Sequence, residues 1–123
     1  MAITFELEGS VDEINAEIEE EVRLEVVEDI IEALKLVMRY TPVDSGTLRS
    51  SWNVSLHSPE YRKFKASNDP VSRARSTLSS YKLGDAVYIS NGQDYASIIE
   101  EGPGRRTKHG MVMRTVAHFG LRR

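Results

Sequence analysis

A single domain mixing strands and helices is what the sequence predicts, on three observations: an alternating run from Ile3 to Leu7, a long helical stripe of apolar residues after it, and further alternating runs beginning at Trp52 and near Val87. A length of 123 residues suits one core, since a chain of this size removes roughly two thirds of its unfolded surface from water. One domain over 1–123 is therefore expected.

Ile3, Phe5 and Leu7 alternate with Thr4, Glu6 and Glu8, the period of a half-buried strand, and Gly9 ends it. Ser10 stands as an N-cap with Glu13 three residues on, a capping box in which serine oxygen and glutamate exchange bonds with the backbone. Val11, Ile14, Ile18, Val22, Val26, Ile30, Leu34 and Val37 or Met38 then recur at helical spacing. Thr41-Pro42 stops the helix, because proline disfavours helical geometry in the residue before it. About 30 residues at about 1.5 Å each make a rod of roughly 45 Å, more than the core of so small a domain needs, so part of it is expected to contact something else.

TPVDSGTLRSSW follows as a structured turn, with Pro42 fixing φ and Gly46 open to positive φ. Leu48 and Trp52 lie one helical turn apart, Trp52 reads as a core anchor, and the run to Leu56 alternates as a strand. HSPEYRKFKASND reads as a long loop, a class of segment that in small domains is functional or disordered. Asn68-Asp69-Pro70 opens a helix whose Val71, Ala74 and Leu78 share a face. Leu83–Ser90 returns to strand character, and Asn91-Gly92 signals a turn. Asp94 begins a short helix with Tyr95, Ile98 and Ile99 inward, closed by Gly102-Pro103. Met111, Val112, Thr115, Val116 and Phe119 mark a last helix, with a strand as the lesser option.

The net charge of −3 conceals a strong asymmetry. Residues 1–34 carry twelve of the nineteen acids and only Arg23 as a base, a net −11, while residues 35–123 carry seven acids and fifteen bases, a net +8. Such poles favour association through complementary faces. Within the helix, Glu13, Glu17, Glu21, Glu25 and Asp29 form an i, i+4 ladder of like charges, each pair costing a few tenths of a kcal/mol. It is either a solvated face or a docking stripe for arginines of a neighbouring subunit, and part of it is expected to dock.

Composition narrows the chemistry. The absence of cysteine excludes a disulfide framework, a thiolate nucleophile and a zinc–cysteine site. The first ten residues carry acids where an export signal has bases, and no apolar run approaches a membrane span, so an unexported, soluble protein is expected. His57, His109 and His118 with Asp94, Glu100 and Glu101 are the candidate catalytic groups. They form neither a GxSxG elbow nor an HExxH helix, and GPGRRTKHG lacks the GK[ST] order of a phosphate loop. No enzyme, cofactor or metal site is expected. Nucleic-acid binding is the stronger rival: Arg62, Lys63, Lys65, Arg73, Arg75, Arg105, Arg106 and Lys108 lie near Tyr61, Phe64 and Tyr81, and basic loops 61–75 and 104–109 suit phosphates. A pI of about 5.6 and the acidic helix oppose that reading.

TPVDSGTLRSSW, then VYISNGQDYASIIEEG, then GMVMRTVAHF resemble, in this order, the tail-completion (head-tail joining, or neck) family of long-tailed bacteriophages. Ser45, Thr47 and Glu101 depart from the threonine, arginine and aromatic usual there, and GPGRRTKHG is more basic than the family's loop. The resemblance implies an α+β fold, a long N-terminal helix packed on a small antiparallel sheet with short additional helices. It also implies a structural virion protein that forms a ring, expected as a hexamer, on the head-proximal end of the tail tube and joins it to the head connector. Assembly in the host cytoplasm and residence in the virion neck follow. In such a ring, Glu13, Glu17, Glu21, Glu25 and Asp29 are expected to meet Arg105, Arg106 and Lys108 of the next subunit. Arg62, Lys63, Lys65, Arg105 and Arg106 are the residues expected to face passing DNA.

Overall fold

The computed structural model describes residues 3–7, 16–42, 46–93, 96 and 111–120. In chain order these form β1 (Ile3–Leu7), α1 (Ala16–Arg39), α2 (Thr47–Ser50), β2 (Trp52–Leu56), α3 (Pro70–Leu78), β3 (Val87–Asn91) and α4 (Met111–Gly120). The fold is α+β, with a long N-terminal helix, a small antiparallel sheet and short helices, as the sequence predicts. The capping box at Ser10 and Glu13, the short helix from Asp94, and the loop bearing Arg105, Arg106 and Lys108 lie outside the described residues.

β3 is the central strand, flanked antiparallel by β1 and β2. Phe5 and Val54 both sit opposite Ile89, and Ile3 and Trp52 both sit opposite Asn91. Side chains alternate across a strand, so this register gathers Ile3, Phe5, Val54, Val87 and Ile89 on one face with Trp52. The other face carries Thr4, Asn53 and Ser90, with the Thr4 and Ser90 hydroxyls bonded to each other across the strands. The strand expected over Leu83–Ser90 is shorter and later, because Lys82–Asp85 is a turn: the Lys82 amide donates to the Asp85 carboxylate at 2.9 Å and Gly84 takes φ 94°.

The core lies between that apolar sheet face and the second half of α1. Ile30, Ile31, Ala33, Leu34 and Val37 are buried there with Leu48, Trp52, Ala74, Leu78 and Met111. The expected apolar stripe runs the whole helix, but burial starts only at Ile30; Val22 and Val26 are half-buried and Ile18 is 49% exposed. At the other end, Thr41 closes the helix as its hydroxyl donates to Val37 O at 2.6 Å and accepts from Trp52 Nε1 at 2.9 Å. Both bonds are buried, so the stop at Thr41-Pro42 also fixes the core tryptophan. In α4, Met111 and Thr115 face inward while Val116 is 53% exposed, so the buried side of this helix is narrower than its apolar spacing suggests.

Residues 57–68, expected as a loop, contain neither helix nor strand but are firmly attached. They cross the polar side of the sheet as a strap. Asn53 Nδ2 donates to Arg62 O at 2.9 Å and Glu60 O at 3.3 Å, and Ser51 Oγ accepts from the Phe64 amide at 2.9 Å. Ser50 Oγ donates to Ala66 O at 3.0 Å. Asn91-Gly92, a turn signal because both residues tolerate positive φ, does not use that freedom. Among the described residues only Gly46, Gly84 and His57 have positive φ, and Gly92 instead lies directly beneath the carbonyls of Tyr61 and Arg62. Asn91 is the last residue of β3; its side chain is fully buried, with Nδ2 donating to Leu48 O at 2.7 Å.

α3 starts as read. Pro70 occupies its first turn and Asp69 caps it, accepting from the Val71 amide at 3.0 Å and the Ser72 hydroxyl at 2.8 Å. The Ser72 bond, then the backbone amides, hold the Asp69 carboxyl below the usual aspartate range. Asp69→Ala is expected to cost about 1 kcal/mol in urea unfolding at neutral pH. A carboxyl depressed in the folded state stabilises above its unfolded pKa and loses that contribution as pH falls through the folded one. The difference between wild type and Asp69→Ala should therefore be full at pH 6 and shrink below about pH 4.

Candidate docking surfaces

The first half of α1 presents an acidic surface. Glu17, Glu21, Glu25 and Asp29 are all exposed, one turn apart, on a single line of the helix. Glu13 lies outside the described residues. Two further acids beside this line are already engaged within the subunit. Glu20 pairs with Arg23 at 3.1 Å, and Glu28 pairs with Arg75 of α3 at 2.9 Å. Hydrogen bonding to these guanidinium groups lowers both carboxyls from the usual glutamate range. No ion pair to a described residue takes up Glu17, Glu21 or Glu25.

The bases divide in the same way. Arg73 is counted with the basic loops in the sequence, but its side chain is turned inward. Its Nη2 donates to Ser50 O at 2.8 Å and Trp52 O at 2.9 Å, Nη1 to the Asn68 side chain, and its guanidinium lies 3.5 Å from the centre of the Phe64 ring. Desolvation lowers its pKa, as expected of a cation fastened inside the fold. Arg75 is taken by Glu28. Arg62, Lys63 and Lys65 are exposed along the strap beside Tyr61, which is 47% exposed. Arg62 lies 4.8 Å from the Phe64 ring centre and 3.8 Å from Glu60.

A second group of cations was not singled out in the sequence. Lys35 and Arg39, one turn apart on α1, and Arg49 on α2 surround an open cavity of about 400 Å³ walled by Met38 and Val71. The three are exposed, and no ion pair ties any of them to a described residue. The signal for Lys35 and Arg39 was their i, i+4 spacing on the helix; Arg49 joins them only because α2 lies beside the end of α1.

A second cavity, about 240 Å³, runs along β2 between the strap and α3, bordered by Val54, Leu56, Glu60, Arg62, Arg73 and Thr77. Among the described residues no group of three or more histidine, aspartate or glutamate side chains is placed to hold a metal ion, and no helix is long and apolar enough to cross a membrane. Comparison with protein-family models, curated proteins and solved structures finds no match to this chain.

Proposed function

We propose that this chain is a tail-completion protein, a structural virion component that assembles as a ring on the head-proximal end of a phage tail tube and receives the head connector. The observation that carries the reading is the helix α1, whose first half presents an exposed acidic line together with two exposed apolar residues, Ile18 and Leu24. Leu24 at 52% exposure and Ile18 at 49% are apolar surface a lone subunit leaves wet, which suits a protein completed by neighbours. Exposed acids at one end of the molecule and exposed bases elsewhere suit a head-to-tail contact that closes a ring. The ordered motifs TPVDSGTLRSSW, VYISNGQDYASIIEEG and GMVMRTVAHF support the family, and the helix-on-sheet layout agrees with it. Its partners would be itself, the tube protein and the connector, with DNA passing through the central hole.

The test is to mix the purified protein with polymerised tail tubes and view them by negative stain. Rings capping one end of each tube are expected, with tube growth arrested; bare ends at saturating protein would overturn the reading.

The strap favours a second reading, a nucleic-acid-binding module, because Arg62, Lys63 and Lys65 are exposed next to Tyr61. Duplex DNA retention that falls steeply between 50 and 200 mM salt and is lost in a Arg62→Ala/Lys63→Ala/Lys65→Ala variant would establish it, with the log–log salt slope shallower by up to about 3. Retention unaffected by the triple variant would remove it.

A further inference from the structure

We infer that the cavity bounded by Lys35, Arg39 and Arg49 is the receptor for the acidic half of α1 from a second copy of this chain, with Leu24 as the residue that enters it. The inference rests on the ring reading above and specifies its contact.

The two surfaces are complementary in pattern as well as in charge. The cavity has an apolar wall, Met38 and Val71, and a rim of three cations that make no ion pair with a described residue. The acidic half of α1 has the inverse arrangement. Leu24 is 52% exposed, and helical geometry places Glu17, Glu20, Glu21 and Glu28 within one or two turns of it on the same side, with Glu25 adjacent. Glu20 and Glu28 are neutralised within the subunit by Arg23 and Arg75. Glu17, Glu21 and Glu25, nearest Leu24 along the acidic line, make no ion pair with a described residue.

One subunit cannot satisfy both surfaces. Leu24 and Lys35 belong to one helix and are eleven residues apart, roughly 16 Å along its axis. The contact must run from the acidic half of one copy to the basic end of the next. Such a contact is heterologous, so each copy keeps one surface of each kind free until the chain of copies closes. The apolar pair supplies the burial, and the charges set direction and exclude the reversed orientation.

The contact is tested by sedimentation velocity on the full chain in low salt, using Glu21→Lys/Glu25→Lys and Lys35→Glu/Arg39→Glu. All four positions are exposed, and circular dichroism checks that both variants fold. Wild type should associate, more weakly as salt rises. Each variant alone should associate about tenfold more weakly or not at all, because its reversed surface now meets its own unreversed one with like charge. An equimolar mixture of the two should recover association, since every contact then pairs opposite charges. A Leu24→Ser variant should weaken association with no change in its salt dependence. Wild-type association untouched by either reversal overturns this contact and leaves the ring to another interface. A monomeric wild type, or reversals that abolish DNA retention and leave association intact, also overturns it. Association that follows the expected pattern in a protein that leaves tube ends bare overturns the tail reading and keeps the contact.

Discussion

Trp52→Ala should cost about 3–5 kcal/mol, the largest loss expected of any single substitution in this chain. Trp52 is fully buried, at the start of β2, where the sheet meets the second half of α1. Removing the indole leaves a cavity that neighbours on three elements would have to move together to fill, and interiors packed to crystal density do so only in part. It also strands Thr41, whose hydroxyl accepts from Nε1 at 2.9 Å while donating to the last turn of α1. A domain of this size has about 5–15 kcal/mol to lose, so the variant should be largely unfolded at modest urea. Circular dichroism is the readout, because Trp52 is the one tryptophan and fluorescence vanishes with it. Two controls separate packing from the hydrogen bond. Thr41→Val keeps the indole but leaves a buried N–H unpaired, and should cost about 1–3 kcal/mol. In a Trp52→Phe background the same Thr41→Val change should cost clearly less, because the donor is gone; equal costs in both backgrounds would show that the bond contributes nothing. A loss below about 1.5 kcal/mol for Trp52→Ala would mean that the core is held elsewhere.

What could be read from the sequence was what is decided locally. Alternation at Ile3 and Phe5 marks β1, Asp69-Pro70 marks the start of α3, and Thr41-Pro42 marks the end of α1, since in each the few residues involved carry their own geometric reason. What could not be read depends on partners far along the chain. Ile18 and Ile30 occupy equivalent places in one apolar stripe, yet one is half exposed and the other buried, because only the sheet and α3 decide which part of the helix is covered. Arg73 looks like one more basic residue of the 61–75 cluster. Its inward course depends on carbonyls of Ser50 and Trp52 that lie more than 20 residues away. The strap looks like free loop because its bonds go to Ser51, just before β2, and to Asn53 within it, polar residues that the sequence pattern would assign to solvent. The cavity of Lys35, Arg39 and Arg49 is of this second kind, a site shared between two helices and invisible in any one segment.

Gly92→Ala separates the two kinds of reason by the sign of its effect. Gly92 does not use positive φ, so an argument from backbone freedom alone gives alanine a gain of about 0.4–1 kcal/mol, through a less flexible unfolded chain. The structure leads to the opposite result. A Cβ at this position would lie 2.5 Å from Arg62 O and press on Tyr61 O, and both obstacles are backbone, which cannot swing aside as a side-chain end can. Relief requires the strap to lift, stretching the 2.9 Å bond from Asn53 to Arg62 O and the bond from the Phe64 amide to Ser51 Oγ. The expected cost is about 1–3 kcal/mol in urea unfolding, with faster amide hydrogen exchange at Phe64. The Gly92 amide, which donates to Ser51 O at 3.3 Å, should follow. Equal or greater stability would show that the strap is free to shift, and Arg62, Lys63 and Lys65 would then form no fixed array. The expected loss would mean that these cations are held at set positions on the sheet, so that a partner meets them without first ordering the segment that carries them.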